Sequence, residues 1–373
     1  MAIQIKEVTS PHELKIFATY PYDLYKKNRF WVPPLRSDEL NYLRKEKNPA
    51  FDFCDAKYWL AIKNRKIAGR IAGIINKRFN EKWNAKVARF GWFDFIDDPE
   101  VSSALLNAVE AWARKNGMDH IHGPLGFTDM DGEGTLVEGF EEVSTLGSIY
   151  NFPYYSEHIT RAGYVKDTDW VEFDVTMHPE IPEKIKRIAE IALERNHLKV
   201  LAVRKAKEMI PYAKEIFAVL NSAYKDLYGF VELSDKQVDM YIKQYFGFIL
   251  PEFVPVVLDA QNRVAAFGIA MPSLSHAMLK SNGRLFPFGI LYILKALKNN
   301  RKADLYLTAV RPDLQNKGIN AILIYEMHKA FIKHNIQRVE TNRELEDNAK
   351  IQAQWRFYDA RQHKRRRCYK KEL

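Results

Sequence analysis

Leu305-Tyr-Leu-Thr-Ala-Val-Arg-Pro-Asp-Leu-Gln-Asn-Lys-Gly-Ile-Asn320 passes from a strand pattern to a helix pattern through a short polar loop. Ala303 to Val310 reads as a strand, Pro312 removes a backbone donor and stops it, and Gly318 permits a tight turn where a helix begins. Ile319, Ile322, Leu323, Met327, Ala330 and Phe331 then recur at helical spacing. The first N–H groups of a helix have no partner inside it and carry a partial positive charge. The turn is therefore a ready seat for a diphosphate, with Lys317 adding a full charge beside it.

Outward from this loop the chain repeats an order of elements. In the second half, a helical connector over Glu183 to Asn196 leads to a strand, Leu198 to Val203, and a helical region from about Glu208 to Tyr224. A hairpin follows, Phe253 to Leu258 with Val264 to Ala270, before the strand and helix above and a last strand from Arg338. The first half opens with a strand, Ile3 to Val8, and a polar, aromatic stretch. It continues with a hairpin (Tyr58 to Ile62, Ala68 to Ile75), a strand from Ala88 to Phe95, and a helix capped by Asp98 and stopped at Gly117. Two domains are predicted, 1–178 and 179–373. The 373 residues, 47% of them hydrophobic, suffice for two cores.

The charge of +10 favours an anionic partner, although the basic excess is spread along the chain except at Lys364-Arg-Arg-Arg367. That run reads as a terminal edge strand, its alternating cations discouraging aggregation. Cys54 and Cys368 are the only cysteines, so no disulfide framework or zinc knuckle is implied. No signal peptide pattern opens the chain, and a cytoplasmic protein without a membrane span is predicted. The longest apolar run, Leu285 to Leu294, is too short to cross a bilayer and reads as core or as the wall of an acyl-tail pocket. His120 and His122 could share one strand face, but no third ligand accompanies them, and no metal is assigned.

The loop residues Gln315-Asn-Lys-Gly318-Ile-Asn320 resemble the signature of the GNAT acetyltransferase superfamily, Gln/Arg-x-x-Gly-x-Gly/Ala, with Asn320 in the third position. The resemblance implies an α/β (α+β) fold of two GNAT-like domains, each a mixed, mostly antiparallel sheet flanked by helices. It also implies acetyl-CoA or another acyl-CoA as co-substrate. Main-chain groups of Thr308, Ala309 and Val310 would hold the pantetheine arm, Gln315, Asn316, Lys317, Gly318, Ile319 and Asn320 the pyrophosphate, and Asn348 a further contact. The family's tyrosine acid would fall at position 355, which is Trp, so Tyr358 on the same helical face is the substitute.

In the first half Asp97-Asp98-Pro99 stands where the cofactor loop would be, and like-charge repulsion argues against a diphosphate there. A glycine-rich segment from His122 to Phe140 suggests a functional loop. The chain as a whole looks like an uncharacterised bacterial group of tandem acetyltransferase-like proteins. Its plan is similar to that of the N-myristoyltransferases and the Fem peptidyltransferases, in which one half binds the donor and the interface binds the acceptor. By that likeness Asp129, Tyr154 and Tyr155 would meet an amine acceptor, a small molecule or peptide; a carboxylate, Asp131, Glu133 or Glu340, would take its proton. The predicted function is acyl transfer from acyl-CoA to an amine. A Fem-like transferase using aminoacyl-tRNA and a non-catalytic acyl-CoA-binding protein are the alternatives.

Overall fold

In the computed structural model, which describes residues 3–245 and 249–373, the chain forms two units. Unit 1 comprises the residues up to Val171, Leu274–Ile293 and His363–Leu373; unit 2 comprises Glu172–Ser273 and Leu294–Gln362. Unit 1 contains β1 (Gln4–Glu7), β2 (Cys54–Lys63), β3 (Lys66–Asn76), β4 (Val87–Phe95), β5 (His120–Gly123), β6 (Thr135–Glu138) and the first part of β7 (Val165–Thr176). Unit 2 contains the rest of β7, then β8 (Lys199–Val200), β9 (Val256–Leu258), β10 (Val264–Pro272), β11 (Lys302–Val310), β12 (Arg338–Glu340), β13 (Glu344–Leu345) and the start of β14 (Asp359–Glu372).

In unit 1 the turn Asn64-Arg65 has both φ values positive, 55° and 61°, the two-residue geometry that closes a twisted hairpin. It sets the β2–β3 register from Cys54 opposite Asn76 to Lys63 opposite Lys66. β4 is antiparallel to β3, while β5 is parallel to β4 and is reached through the helix Pro99–Lys115. That helix buries Val101, Leu105, Val109 and Ala113 against Ile71, Phe90 and Phe95.

β14 corrects two expectations. It is not an edge strand: in unit 1 it lies between β5 and β7 and also pairs with β6. Residues 363–373 therefore belong with the first half, and this partition differs from a single boundary after residue 178. The basic run is also not a solvated patch. Arg366 and Lys364 are buried, Lys364 donates to the Val143 carbonyl at 2.8 Å, and Arg366 donates to that of Ile149. Arg367 and Arg365 pair with the buried carboxylate of Asp169 at 2.8 and 3.3 Å.

Unit 2 is ordered β7-β12-β11-β10-β9-β8, antiparallel throughout except for the parallel pair β11–β12, and β13 adds to β7. The helix Ile319–Lys333 makes the crossover from β11 to β12, and Ile319, Ile322, Leu323 and Phe331 bury against Ala189 and Ala192 of the helix Glu183–Arg195 and against the sheet. The strand expected over Leu198 to Val203 contracts to Lys199–Val200. The run Leu285 to Leu294 is not core: Phe286, Phe288 and Leu291 are 78%, 61% and 57% exposed.

Burial opposes ionisation of Asp169, but Arg367 and Lys166 hold its carboxyl below the ordinary range. Asp169→Asn should destabilise the protein by on the order of 2 kcal/mol at neutral pH, because the half-buried Arg365 and Arg367 lose their buried counter-charge. A carboxyl with a depressed native pKa stabilises above its unfolded pKa of about 4, and that contribution is lost as pH falls through the native value. Urea titrations at neutral and acidic pH should therefore show the gap between wild type and variant shrinking on acidification.

Candidate functional site

The site in unit 2 is opened by a mismatch in strand length. β10 accompanies β11 from Pro272 opposite Ala303 to Ala266 opposite Val310, whereas β12 pairs with it only from Lys302 opposite Arg338 to Asp304 opposite Glu340. Beyond Asp304 the two parallel strands part. A bulge at this point sets Ile269 opposite Leu307 and Ala270 opposite Leu305, which bends β11. Asn342 donates to the Tyr306 carbonyl at 2.6 Å, and Tyr224, at the end of the helix Ile210–Tyr224, donates to the Thr308 carbonyl at 2.9 Å. Thr308 is half-buried; Ala309 and Val310 are buried.

The loop after β11 is built from its own polar groups. Arg311 pairs with Asp313 at 2.7 Å and with Asp259, from the β9–β10 turn, at 3.0 Å. Although burial opposes it, hydrogen bonds from Arg263 and Arg311 bring the Asp259 carboxyl down to about 2. Gln315 donates back to the Val310 carbonyl at 3.2 Å, closing the turn. Gly318 then caps the helix with φ +78°, and a Cβ there would lie 3.1 Å from Ile188 Cγ2. With no side-chain cap, the N–H groups of Asn316, Lys317, Gly318, Ile319 and Asn320 have no acceptor among the described residues. Asn316, Lys317 and Asn320 are exposed, and Lys350 reaches Asn316 Oδ1 at 3.5 Å, bringing a second cation beside Lys317.

The matching place in unit 1 is filled. Asp98 accepts from the N–H groups of Glu100 and Val101 at 3.0 and 3.4 Å and pairs with Lys63, and Asp97 meets His158 at 3.0 Å. The Lys63 ammonium is the main cause of an Asp98 carboxyl held below its ordinary range. One strand-to-helix turn thus presents free donors and the other neutralises its own.

Asn348 caps the short helix Ala349–Gln352 by accepting from Ile351 N–H at 3.3 Å. Trp355 and Tyr358 are buried with Val175 and Ile185, and Leu305 of β11 packs against this cluster. His328 Nε2 faces the His178 carbonyl at 2.9 Å and so carries the proton. Nδ1 then accepts from the Tyr358 hydroxyl at 3.1 Å. Burial pushes that phenol well above its usual range. The residues expected on the acceptor side lie in two different places in unit 1. Asp129 and Asp131 are half-buried and Glu133 is buried in one loop, where Asp131 accepts from Thr128 N–H at 3.1 Å and from the Tyr42 hydroxyl. Tyr154 and Tyr155 pack against Phe95, Tyr154 donating to its carbonyl at 2.6 Å and Tyr155 accepting from its N–H at 3.1 Å.

His122, Asp167 and Cys368 in unit 1 bring one ligand atom each within 4.8 Å of one another. Lys370 already pairs with Asp167 at 2.9 Å, and burial, with the charges of Arg89 and Lys370, depresses the imidazole's basicity. One of the three ligands is thus already neutralised by a lysine.

Comparison with solved structures decides the architecture. A tandem GNAT protein from the clavulanic acid biosynthesis pathway matches 100% of this chain and 98% of its own, with a TM-score of 0.57 at 12% identity. The fold is that of the tandem GNAT proteins. A GCN5-related N-acetyltransferase from Sphaerobacter thermophilus matches with a TM-score of 0.52 over 99% of this chain and 95% of its own, at 9% identity. No family model matches the sequence. Protein YghO of Escherichia coli K12 is 28% identical over 380 residues, covering 99% of this chain and 95% of its own. A bacterial ceramide synthase of Caulobacter vibrioides is 26% identical over 338 residues, covering 88% and 85%. Within the tandem GNAT fold of this chain, the free donors belong to unit 2.

Glu344 was not anticipated. It follows β12 at the end where β11 and β12 part, accepts from Trp355 Nε1 at 2.8 Å, and its other oxygen has no hydrogen-bond partner among the described residues. Burial pushes its carboxyl up to about 7, the Trp355 hydrogen bond opposing. A carboxyl raised in the native state favours folding at low pH, and that contribution is lost as pH climbs from about 4.5 to about 7. Wild-type unfolding free energy should fall by on the order of 2 kcal/mol between pH 5 and 8 from this group. Glu344→Gln, which keeps an acceptor for Trp355, should remove that part of the slope in paired urea titrations.

Proposed function

We propose that the protein is an acyl-CoA-dependent N-acyltransferase whose donor lies along β11 with its diphosphate over Gln315 to Asn320. The observation that carries this reading is the row of acceptor-free N–H groups around Gly318, with Lys317 and Lys350 beside it. Oriented amides at a helix start stabilise a diphosphate, and the unpaired length of β11 suits an extended amide-bearing arm as an added strand-like partner.

In this reaction a neutral amine attacks the thioester carbon. The N–C bond forms, the C–S bond breaks, the thiolate leaves and the amine gives up a proton. Strand N–H groups supply oxyanion stabilisation, and holding the two reactants together supplies much of the rate. We assign Tyr358 as the proton source for the thiolate, and the ammonium formed by the attack releases its proton to water. Tyr358→Phe should then lower kcat with KM unchanged; an unchanged kcat would give Tyr358 a packing role. The likeness to a protein named for making ceramide, an N-acylated amino lipid, supports an amphiphilic amine and a long-chain donor. A non-catalytic acyl-CoA-binding protein is the second reading, favoured by Trp355 at the usual acid's position and by the engagement of the Tyr358 proton with His328.

Calorimetric titration with acetyl-, octanoyl- and palmitoyl-CoA tests the donor site. Wild type should bind all three, more tightly with chain length if a long-chain donor is used. Gly318→Asp, which sets a carboxylate among the amides in a left-handed conformation, should weaken binding at least tenfold, and Lys317→Ala by severalfold. No heat with wild type, or equal binding by both variants, would remove the basis of the assignment.

A further inference from the structure

We propose that the segment Lys280–Lys298 is a docking surface for an anionic phospholipid bilayer. In the loop after the helix Ser275–Ser281, Phe286 and Phe288 are 78% and 61% exposed. In the helix Gly289–Lys298 that follows, Ile293 is buried and Ile290 and Leu297 are half-buried, forming the inward stripe. The outward face carries Leu291 and Leu294, 57% and 52% exposed, and then Lys295 and Lys298. These four occupy positions i, i+3, i+4 and i+7 and so share one face. The base of the segment is anchored in unit 1: Arg36 N–H donates to the Gly283 carbonyl at 3.0 Å and its guanidinium to that of Asn282 at 3.2 Å.

Charge selects the occupant. Between Asp259 and Asp304 the chain has no acidic residue, while Lys280, Arg284, Lys295, Lys298 and Arg301 all fall in that interval. A two-fold contact with a second copy would set these cations against one another. Anionic headgroups neutralise them, phenyl rings settle at the headgroup level and leucines enter the acyl boundary. The mode is interfacial: the helix of 10 residues is about 15 Å long, half of what a bilayer core requires, and no described helix is long and apolar enough to cross a membrane. The proposal does not rest on the acyl-transfer assignment.

Flotation with vesicles of phosphatidylcholine alone and of phosphatidylcholine with phosphatidylglycerol tests it. Wild type should float with the anionic vesicles, at least tenfold more than with the zwitterionic ones, and less at high salt. Phe286→Ser/Phe288→Ser/Leu291→Ser and Arg284→Glu/Lys295→Glu/Lys298→Glu should each lower binding at least tenfold. All six side chains are exposed, so thermal melting and acyl-CoA calorimetry should match wild type and separate loss of docking from loss of fold or of the donor site. Absence of binding to anionic vesicles, equal binding to both vesicle types, or variants that float like wild type would overturn the proposal. A concentration-dependent dimer abolished by the serine variant, without vesicle binding, would give the face to a second copy instead.

Discussion

The left-handed backbone at Gly318 is the constraint from which the candidate site follows. A helix that begins in the ordinary way is preceded by an extended residue whose side chain caps the first N–H groups, as Asp98 does before Pro99–Lys115. At Gly318 φ is +78°, there is no side chain to turn back, and the space a Cβ would need is bounded by Ile188 of the neighbouring helix. The consecutive amides from Asn316 to Asn320 are left without an acceptor among the described residues. Burying or capping them would satisfy the backbone and close the site. Leaving them open costs some helix stability, which the packing of Ile319, Ile322 and Leu323 into the core offsets.

The parting of β11 and β12 matters for the same reason. Parallel strands that stay paired consume every main-chain donor and acceptor on their shared edge. Here pairing ends at Asp304 and Glu340, and the crossover from β11 to β12 runs through the loop itself, so the open edge and the free helix start adjoin. Unit 1 has the same parallel pair, β4 and β5, joined by a helix, but its turn holds Asp97 and Asp98, each already matched to a cation or an imidazole. Similar topology thus yields one open and one self-satisfied turn, and the difference lies in a few side chains.

Much of this was legible in residues 303–333 and 88–117, because Pro, Gly and Asp mark strand ends and helix starts by local sterics and capping. The hairpin at Asn64-Arg65 was legible for the same reason. What sequence missed depends on tertiary context. β7 carries the alternation Val171, Phe173, Val175, yet acids at Glu172 and Asp174 and the neighbouring prolines obscured it. The position of β14 within unit 1 rests on long-range pairing with β5 and β6, for which no local pattern exists. Glu344 reads as an ordinary surface acid. Only its burial beside Trp355 makes it a carboxyl that titrates near neutrality.

Charge shows most plainly how far composition falls short of location. Lys364 to Arg367 is the densest basic run in the chain and the obvious candidate for an anionic partner. Its members are buried or paired, because cations on a strand inside a sheet need partners within the protein: the Asp169 carboxylate for Arg365 and Arg367, and main-chain carbonyls as acceptors for Lys364 and Arg366. The stretch between Asp259 and Asp304 looks unremarkable by density of cations. Lys280, Arg284, Lys295 and Lys298 have no acid near them in sequence and lie on a segment where Phe286, Phe288, Leu291 and Leu294 face water. The density of cations in a sequence is therefore a poor guide to where its positive charge faces water.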